Sequence, residues 1–399
     1  MRIAIVTSGR FHVCDLAREL DAKGHDVLFY SLVPLARTSS FGLPERCHRS
    51  LGAPLSALQA LAQSTSRLQL RAFVNRMVTV ALDRHAARVV EACDVFIGMS
   101  GLCCASLESI RRRCGARTVL ERGSRHILSQ KALLEAIPGL AASGVPDWAV
   151  SRELKGYALA DRIVVPARHV EASFVERGVP AQKLFRNPYG VDLQMFPPTP
   201  APPRDAPPTI MMVGAWSLRK GCDVLVAAWR RMRTPGTRLL HVGRVLDAPL
   251  PSAADFEHHD PVDQRELTAW YERAHVMALA SREEGLALVQ AQALASGLHL
   301  VATDRTGAED LQECIEDASA VSITPADDVA AFAAALDAQL ESARRQRGAR
   351  DLLGPARQRL TWAAYGARYD SMLRGWLHTP NGDRDAPRHE RCAGQAALG

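Results

Sequence analysis

Lysine is scarce in this 399-residue chain: of 49 basic residues all but five are arginine, and the lysines stand at 23, 131, 155, 183 and 220. A lysine at a chemically plausible position therefore draws attention, although chance can leave any one of five there. No apolar run approaches the roughly 20 residues of a membrane-spanning helix. The nine cysteines include no CxxC pair, and only Cys103 and Cys104 lie close together. Neighbours in sequence rarely bond to each other, so a disulfide framework is excluded and buried thiols in a reducing cytoplasm are expected. The GxGxxG turn of dinucleotide dehydrogenases is missing after the apolar stretch 3–6, where Thr7-Ser8-Gly9-Arg10-Phe11-His12 stands. The second strand ends in Tyr30-Ser31, without the ribose-binding acid. There is no GxxxxGK[ST] phosphate loop, and no HExxH or Cys/His spacing accompanies His258-His259.

What is present is alternation. Short continuous apolar runs at 3–6, 26–30, 95–98, 118–120 and 163–165 read as buried strands separated by helices, the first at 13–23 with apolar positions 13, 16, 17 and 20. A strand beginning at residue 3 leaves no room for a signal peptide. Residues 54–92 read as two amphipathic helices with Arg67, Arg71, Arg76, Arg84 and Arg88 on the polar face. After the proline-rich stretch 197–208 the pattern restarts, with strands at 209–213, 238–242, 276–279 and 298–302. Helices are expected at 221–232, 263–274, 285–295 and 326–343. This gives an α/β fold of two doubly wound, Rossmann-like domains facing each other across a cleft. The first domain is 1–196, the linker 197–208, and the second domain 209–377 with a return helix at about 362–376. Residues 378–399 are expected to be a disordered tail. Charge is uneven: residues 1–200 carry 26 Lys+Arg against 17 Asp+Glu, and the remainder 23 against 26.

Two segments carry chemistry. In Gly214-Ala215-Trp216-Ser217-Leu218-Arg219-Lys220-Gly221 a strand turns into a helix with two cations at the helix start. There, free backbone N–H groups and the helix dipole already favour an anion such as a diphosphate. A solvated basic turn is the plain alternative. In Glu284-Gly285-Leu286-Ala287-Leu288, followed by Gln292 and Gly297, a carboxylate precedes a helix that Gly297 closes. Gln292, eight residues after Glu284, would share its helix face and let both grip one ligand. A favourable N-terminal acid and a polar filler are the alternative.

Together these segments resemble the family 4 glycosyltransferases, retaining nucleotide-sugar enzymes of the GT-B architecture. The Lys-Gly at the helix start and an EGLALVQAQALASG segment in the place of EGFGLxxxEAxAxG carry the likeness. Asn187-Pro188-Tyr189-Gly190-Val191-Asp192-Leu193-Gln194-Met195-Phe196, Ala302-Thr303-Asp304-Arg305-Thr306-Gly307-Ala308-Glu309-Asp310-Leu311 and Leu360-Thr361-Trp362 extend it over about residues 1–376. Three departures stand out: Ala215 replaces the usual Arg, Gln292 the second Glu, and Leu286-Ala287 the usual Phe-Gly.

The resemblance implies sugar transfer from a nucleoside diphosphate sugar to an acceptor hydroxyl, with retention, no metal and no other cofactor. Arg219 and Lys220 would hold the diphosphate and Glu284 the sugar. Gly214, Gly285, Leu286, Ala287, Leu288 and Gln292 would line the donor site. Gly9, His12, Arg122 and His126 are candidates on the acceptor or sugar side, although His12 reads equally as a surface histidine. Bacterial surface-polysaccharide, glycolipid or glycoconjugate synthesis is the implied setting. The expected partners are the donor, a hydroxyl acceptor that is a candidate for lipid linkage, and an anionic inner-membrane face, with no nucleic acid. A non-catalytic partner subunit and a sugar-nucleotide epimerase remain as alternatives.

Overall fold

The computed structural model describes residues 1–52, 68–140, 144–346, 348 and 350–378. The first domain is a parallel sheet of β1 (Arg2–Val6), β2 (Asp26–Ser31), β3 (His48–Ser50), β4 (Val95–Met99), β5 (Arg117–Glu121), β6 (Arg162–Val165) and β7 (Leu184–Arg186). Their spatial order is β3-β2-β1-β4-β5-β6-β7. The second sheet holds β8 (Thr209–Val213), β9 (Arg238–Val242), β10 (Phe256–His259), β11 (Val276–Leu279), β12 (His299–Thr303) and β13 (Val321–Thr324), in the order β10-β9-β8-β11-β12-β13. The central strands are apolar throughout because helices cover both faces. Ile3 to Val6 and Val276 to Leu279 are wholly buried. The helix Phe11–Ala22 turns Val13, Leu16, Ala17 and Leu20 inward, the face its periodicity predicts.

Four strands escaped the sequence reading: β3, β7, β10 and β13 are three or four residues long and lie at or beside a sheet edge. The helix expected over 263–274 is a 3-10 turn, Gln264–Glu266, followed by the five-residue helix Leu267–Tyr271. Of the two helices expected over 54–92, Leu68–Val89 is described, and 53–67 lie outside the described residues. The expected tail lies outside them too, from residue 379 on.

The stretch between the sheets is fastened rather than free. Phe196 is fully buried in a core shared by both domains. Thr199 is buried as well: its hydroxyl donates to the Ser296 carbonyl at 2.7 Å and accepts from Arg350 at 2.5 Å. Prolines deny this stretch a regular element, yet its few apolar and hydroxyl side chains still dock. At the hinge, Val191 N donates to Leu360 O at 2.8 Å, and any Cβ on Gly190 would collide with the Trp362 backbone. The helix Trp362–His378 then returns onto the first domain, where Tyr369 donates to Glu121 at 2.7 Å and His25 to Asp370 at 2.7 Å.

Candidate active site

In the second sheet the chain leaves β8 toward β9 and leaves β11 toward β12, so the segments following these two adjacent strands diverge. A crevice opens at such a switch point, outside the carboxyl ends of the strands. Residues 214–221 and 280–287 are the two loops that line it. Gly214 sits at φ +120°, and any Cβ on its neighbour across the sheet, Gly243, would collide with the Gly214 carbonyl. Gly221 sits at φ +67°, and a Cβ there would strike the Ala280 carbonyl. The two loops therefore touch at Gly221, and that contact brings the cations of one beside the carboxylates of the other.

Arg282 locks them in register. Its backbone N–H donates to Arg219 O at 2.9 Å, and its Nη1 to Leu218 O at 2.6 Å. The same guanidinium grips both oxygens of Asp223 at 2.7 and 2.8 Å, and its Nε donates to Asp327 at 2.6 Å. The hydrogen bond from Arg282 opposes the effect of burial and holds the Asp223 carboxyl below its usual range. Bidentate charge-assisted bonding of this kind fixes orientation as well as proximity.

Within that frame Arg219, Lys220 and Glu284 converge. Arg219 Nη1 donates to Glu284 Oε1 at 2.9 Å and to the Glu283 carbonyl at 2.8 Å, and Lys220 Nζ is ion-paired with the same Glu284 oxygen. Burial works against the Arg219 charge, but Glu284 and Glu283 outweigh it and raise its pKa above the ordinary arginine value. The buried Glu283 carboxylate crosses the cleft to accept from Ser124 of the first domain. A Cβ on Gly285 would collide with Gly123 O, so the domains meet backbone to backbone here. His169, also from the first domain, donates from Nε2 to the Glu284 carbonyl at 3.0 Å. Burial lowers its pKa to about 4, so it does so as a neutral ring near neutral pH.

The structure thus brings Arg219, Lys220 and Glu284 together, with Gly285 beside them at the contact between the domains and Gly214 at the start of the loop that carries the two cations. Leu286 and Ala287 are buried beside it, Leu286 against the turn at Gly307. The helix begins at Leu288, not at Gly285. Glu284 N is instead tied to Arg305 O at 3.1 Å, which holds residues 284–287 as a loop. Glu284 and Gln292 therefore do not share a helix face as the spacing suggested. Gln292 is buried, and its carbonyl oxygen accepts from Tyr271 at 3.3 Å.

On the first domain, Gly9 lies in the turn after β1, its N–H on the Thr7 hydroxyl at 3.2 Å. His12 is not a surface histidine: it is buried, donates to Glu121 at 2.9 Å and packs against Tyr189, the two rings tilted with their centres 4.4 Å apart. Arg122 is engaged by Glu153 at 2.7 Å, Gln130 at 2.6 Å and the Arg125 carbonyl. His126 caps the helix Ile127–Glu135 by accepting from Leu128 N, and packs against Tyr157 and Phe174. Arg122 and His126 are thus held by partners of the first domain itself, around the loop after β5. The sequence reading missed Arg282, Asp223, Asp327, Glu283, Ser124 and His169. Only the acidic doublet Glu283-Glu284 carried a local signal; the remainder depend on partners far away in the chain.

Residues 207–342 match the family model described as glycosyl transferases group 1. D-inositol 3-phosphate glycosyltransferase of Xylanimonas cellulosilytica is 31% identical over 185 residues, covering 39% of this chain and 44% of that protein. GDP-mannose-dependent alpha-mannosyltransferase of Mycobacterium tuberculosis is 31% identical over 192 residues, covering 44% of this chain and 48% of that one. The chain thus spans less than half the length of these curated relatives. Among solved structures, sucrose-phosphate synthase from Thermosynechococcus elongatus superposes with a TM-score of 0.67 at 19% identity, covering 94% of this chain and 99% of that one. The second domain therefore matches glycosyl transferases group 1, and the two facing doubly wound sheets are a GT-B architecture.

Proposed function

We propose that the chain is a retaining, metal-independent glycosyltransferase that moves a sugar from a nucleoside diphosphate sugar to an acceptor hydroxyl. The observation that carries this reading is the convergence of Arg219 and Lys220 on Glu284 at the β8/β11 switch point. A departing diphosphate needs charge-assisted donors held in place before it leaves, and a paired Arg and Lys at a loop locked by Arg282 meet that need. In this reading the anomeric carbon–oxygen bond to the diphosphate breaks as the acceptor oxygen bonds from the same face. The acceptor proton passes to the departing phosphate. Arg219 and Lys220 stabilise the charge on that phosphate, while Glu284, released from part of its ion pairing, accepts from sugar hydroxyls.

Gly214 gives the nucleotide close backbone approach, and the first turn of the helix from Leu288 offers N–H donors without partners inside the helix. Gln292 holds the ribose through its amide. The first domain takes the acceptor, and its excess of arginine suits an anionic, membrane-held acceptor in surface-polysaccharide, glycolipid or glycoconjugate synthesis. The described helix Leu68–Val89 supports that side of the reading, with Phe73 and Met77 exposed beside Arg76, Arg84 and Arg88. Salt-sensitive binding to anionic vesicles is expected; binding indifferent to salt would remove the membrane from the account.

The test of the donor site is thermal denaturation with a panel of nucleoside diphosphates. Ligand-linked stabilisation follows the ratio of concentration to Kd, so one base should raise the melting temperature above the others. A panel without any such shift would overturn the reading.

A further inference from the structure

Two arginines that the donor site does not use stand on either side of the contact between the domains. Arg125 follows Ser124, whose hydroxyl is bound by Glu283, and its own carbonyl accepts from the Arg122 guanidinium at 2.8 and 3.0 Å. Arg305 stands in the loop after β12, its carbonyl accepting from Glu284 N at 3.1 Å. Both backbones are thus pinned beside the same three residues, Glu283 to Gly285. Both side chains are half-buried, and among the described residues neither guanidinium has a hydrogen-bond or ion-pair partner; the Arg125 Nε is buried without one. The other arginines around the cleft are matched: Arg122 with Glu153, Arg219 with Glu284, Arg282 with Asp223 and Asp327.

Arg125 and Arg305 also feel each other. Burial and then the charge of Arg305 depress the Arg125 pKa, against the opposing pull of Glu283, Asp304 and Glu176. None of those carboxylates is ion-paired with either guanidinium among the described residues: Glu283 is taken by Ser124 and Arg219, one oxygen of Asp304 accepts from Ala326 N at 3.1 Å, and Glu176 acts on Arg125 only through its charge. Two half-buried like charges repel each other, and an anion between them would relieve that repulsion and take their donors. The planar fork of a guanidinium matches a carboxylate or a phosphate.

We propose that Arg125 and Arg305 form an anion clamp across the domain interface, which takes a carboxylate or phosphate carried by the sugar donor or the acceptor. The clamp rests on the transferase reading for its ligand's identity, but not for its existence. It adds a selectivity that the donor diphosphate contacts do not supply, and it assembles only when the loops after β5 and β12 come together.

The test is calorimetric titration of the full chain. Inorganic phosphate is titrated first into Lys220→Ala, in which the neighbouring diphosphate site is weakened. Phosphate should bind, and adding Arg125→Gln or Arg305→Gln should weaken it at least fivefold, while Arg125→Lys retains most of the affinity. Phosphate affinity unchanged by both glutamine variants would overturn the clamp. So would a nucleoside diphosphate affinity that falls in parallel in the single variants, because the two arginines would then be diphosphate contacts.

Two further arms locate the source in the otherwise unaltered protein. A uridine diphosphate uronate binding at least tenfold tighter than uridine diphosphate glucose places the anion on the donor. Glucose 6-phosphate binding at least tenfold tighter than glucose, with nucleoside diphosphate present, places it on the acceptor. No preference in either arm would refute a substrate-borne anion. Phosphate binding that depends on both arginines, in a chain that binds no nucleoside diphosphate, would keep the clamp and discard the transferase.

Discussion

Replacing Arg282 with methionine tests whether the two site loops are held by one side chain. The substitution keeps the bulk and apolar stem but removes the guanidinium donors to Leu218 O, Asp223 and Asp327. Asp223 and Asp327 are 45% and 49% exposed, so water recovers much of what they lose. Solvent screening reduces each of those pairs to about 1 kcal/mol. The Leu218 carbonyl, bonded at 2.6 Å, adds about 1 kcal/mol more. The expected destabilisation is about 3 kcal/mol, and for a domain of this size about 6–12 °C in melting temperature. Arg282→Lys should recover only part, because a single ammonium lacks the planar fork that spans three acceptors. The assay is calorimetric melting, with donor titration on the same samples. A melting temperature within about 2 °C of the parent and an unchanged donor affinity would refute the claim that Arg282 sets the loops.

Gly221→Ala places a Cβ against the Ala280 carbonyl at a left-handed backbone position. It should cost more than the roughly 1–2 kcal/mol of the φ alone, and weaken donor binding as the loops part; a melt superposable on the parent would contradict the contact. His126 is buried, with its pKa lowered from 6.5 to about 4 by burial first and then by Arg177 and Arg122. Between those values the unfolded chain binds the proton and the folded one does not, so stability falls as the pH drops from 6.5 towards 4, by roughly 3 kcal/mol from this residue. His126→Asn preserves the cap and removes the titration, so urea midpoints from pH 7 to pH 4 should decline less steeply; an identical decline would refute the assignment.

The centre of each sheet was legible in the sequence because strands covered on both faces must be apolar throughout, as residues 3–6 and 276–279 are. The flanking strands were not. The sequence Phe256-Glu257-His258-His259 is half-exposed, and its pairing with β9 comes from the backbone. At the site, Gly214 to Gly221 and Glu284 could be found because a turn, two cations and an acid sit within short stretches. Arg282 could not: its partners Asp223 and Asp327 are 59 and 45 residues away, and only the folded sheet brings them together. The partners of Arg122 and His126 were hidden for a related reason. Polar residues after a central strand often face a cleft, but here Glu153 and the backbone N–H of Leu128 draw them inward. Gln292 lies in the expected helix, but Glu284 does not, because its N–H is tied to Arg305 O and the helix begins only at Leu288.

The central claim is that Lys220, with Arg219, stabilises a departing diphosphate. The most direct measurement is the rate of glycoside formation from the donor whose base stabilises the chain, compared between the parent protein and Lys220→Ala and followed by mass spectrometry. Losing one preorganised donor to developing charge costs about 2.7–4 kcal/mol, so the variant should turn over roughly 10²–10³-fold more slowly while melting within a few degrees of the parent. A Lys220→Ala protein that forms product at the parent rate would contradict the account.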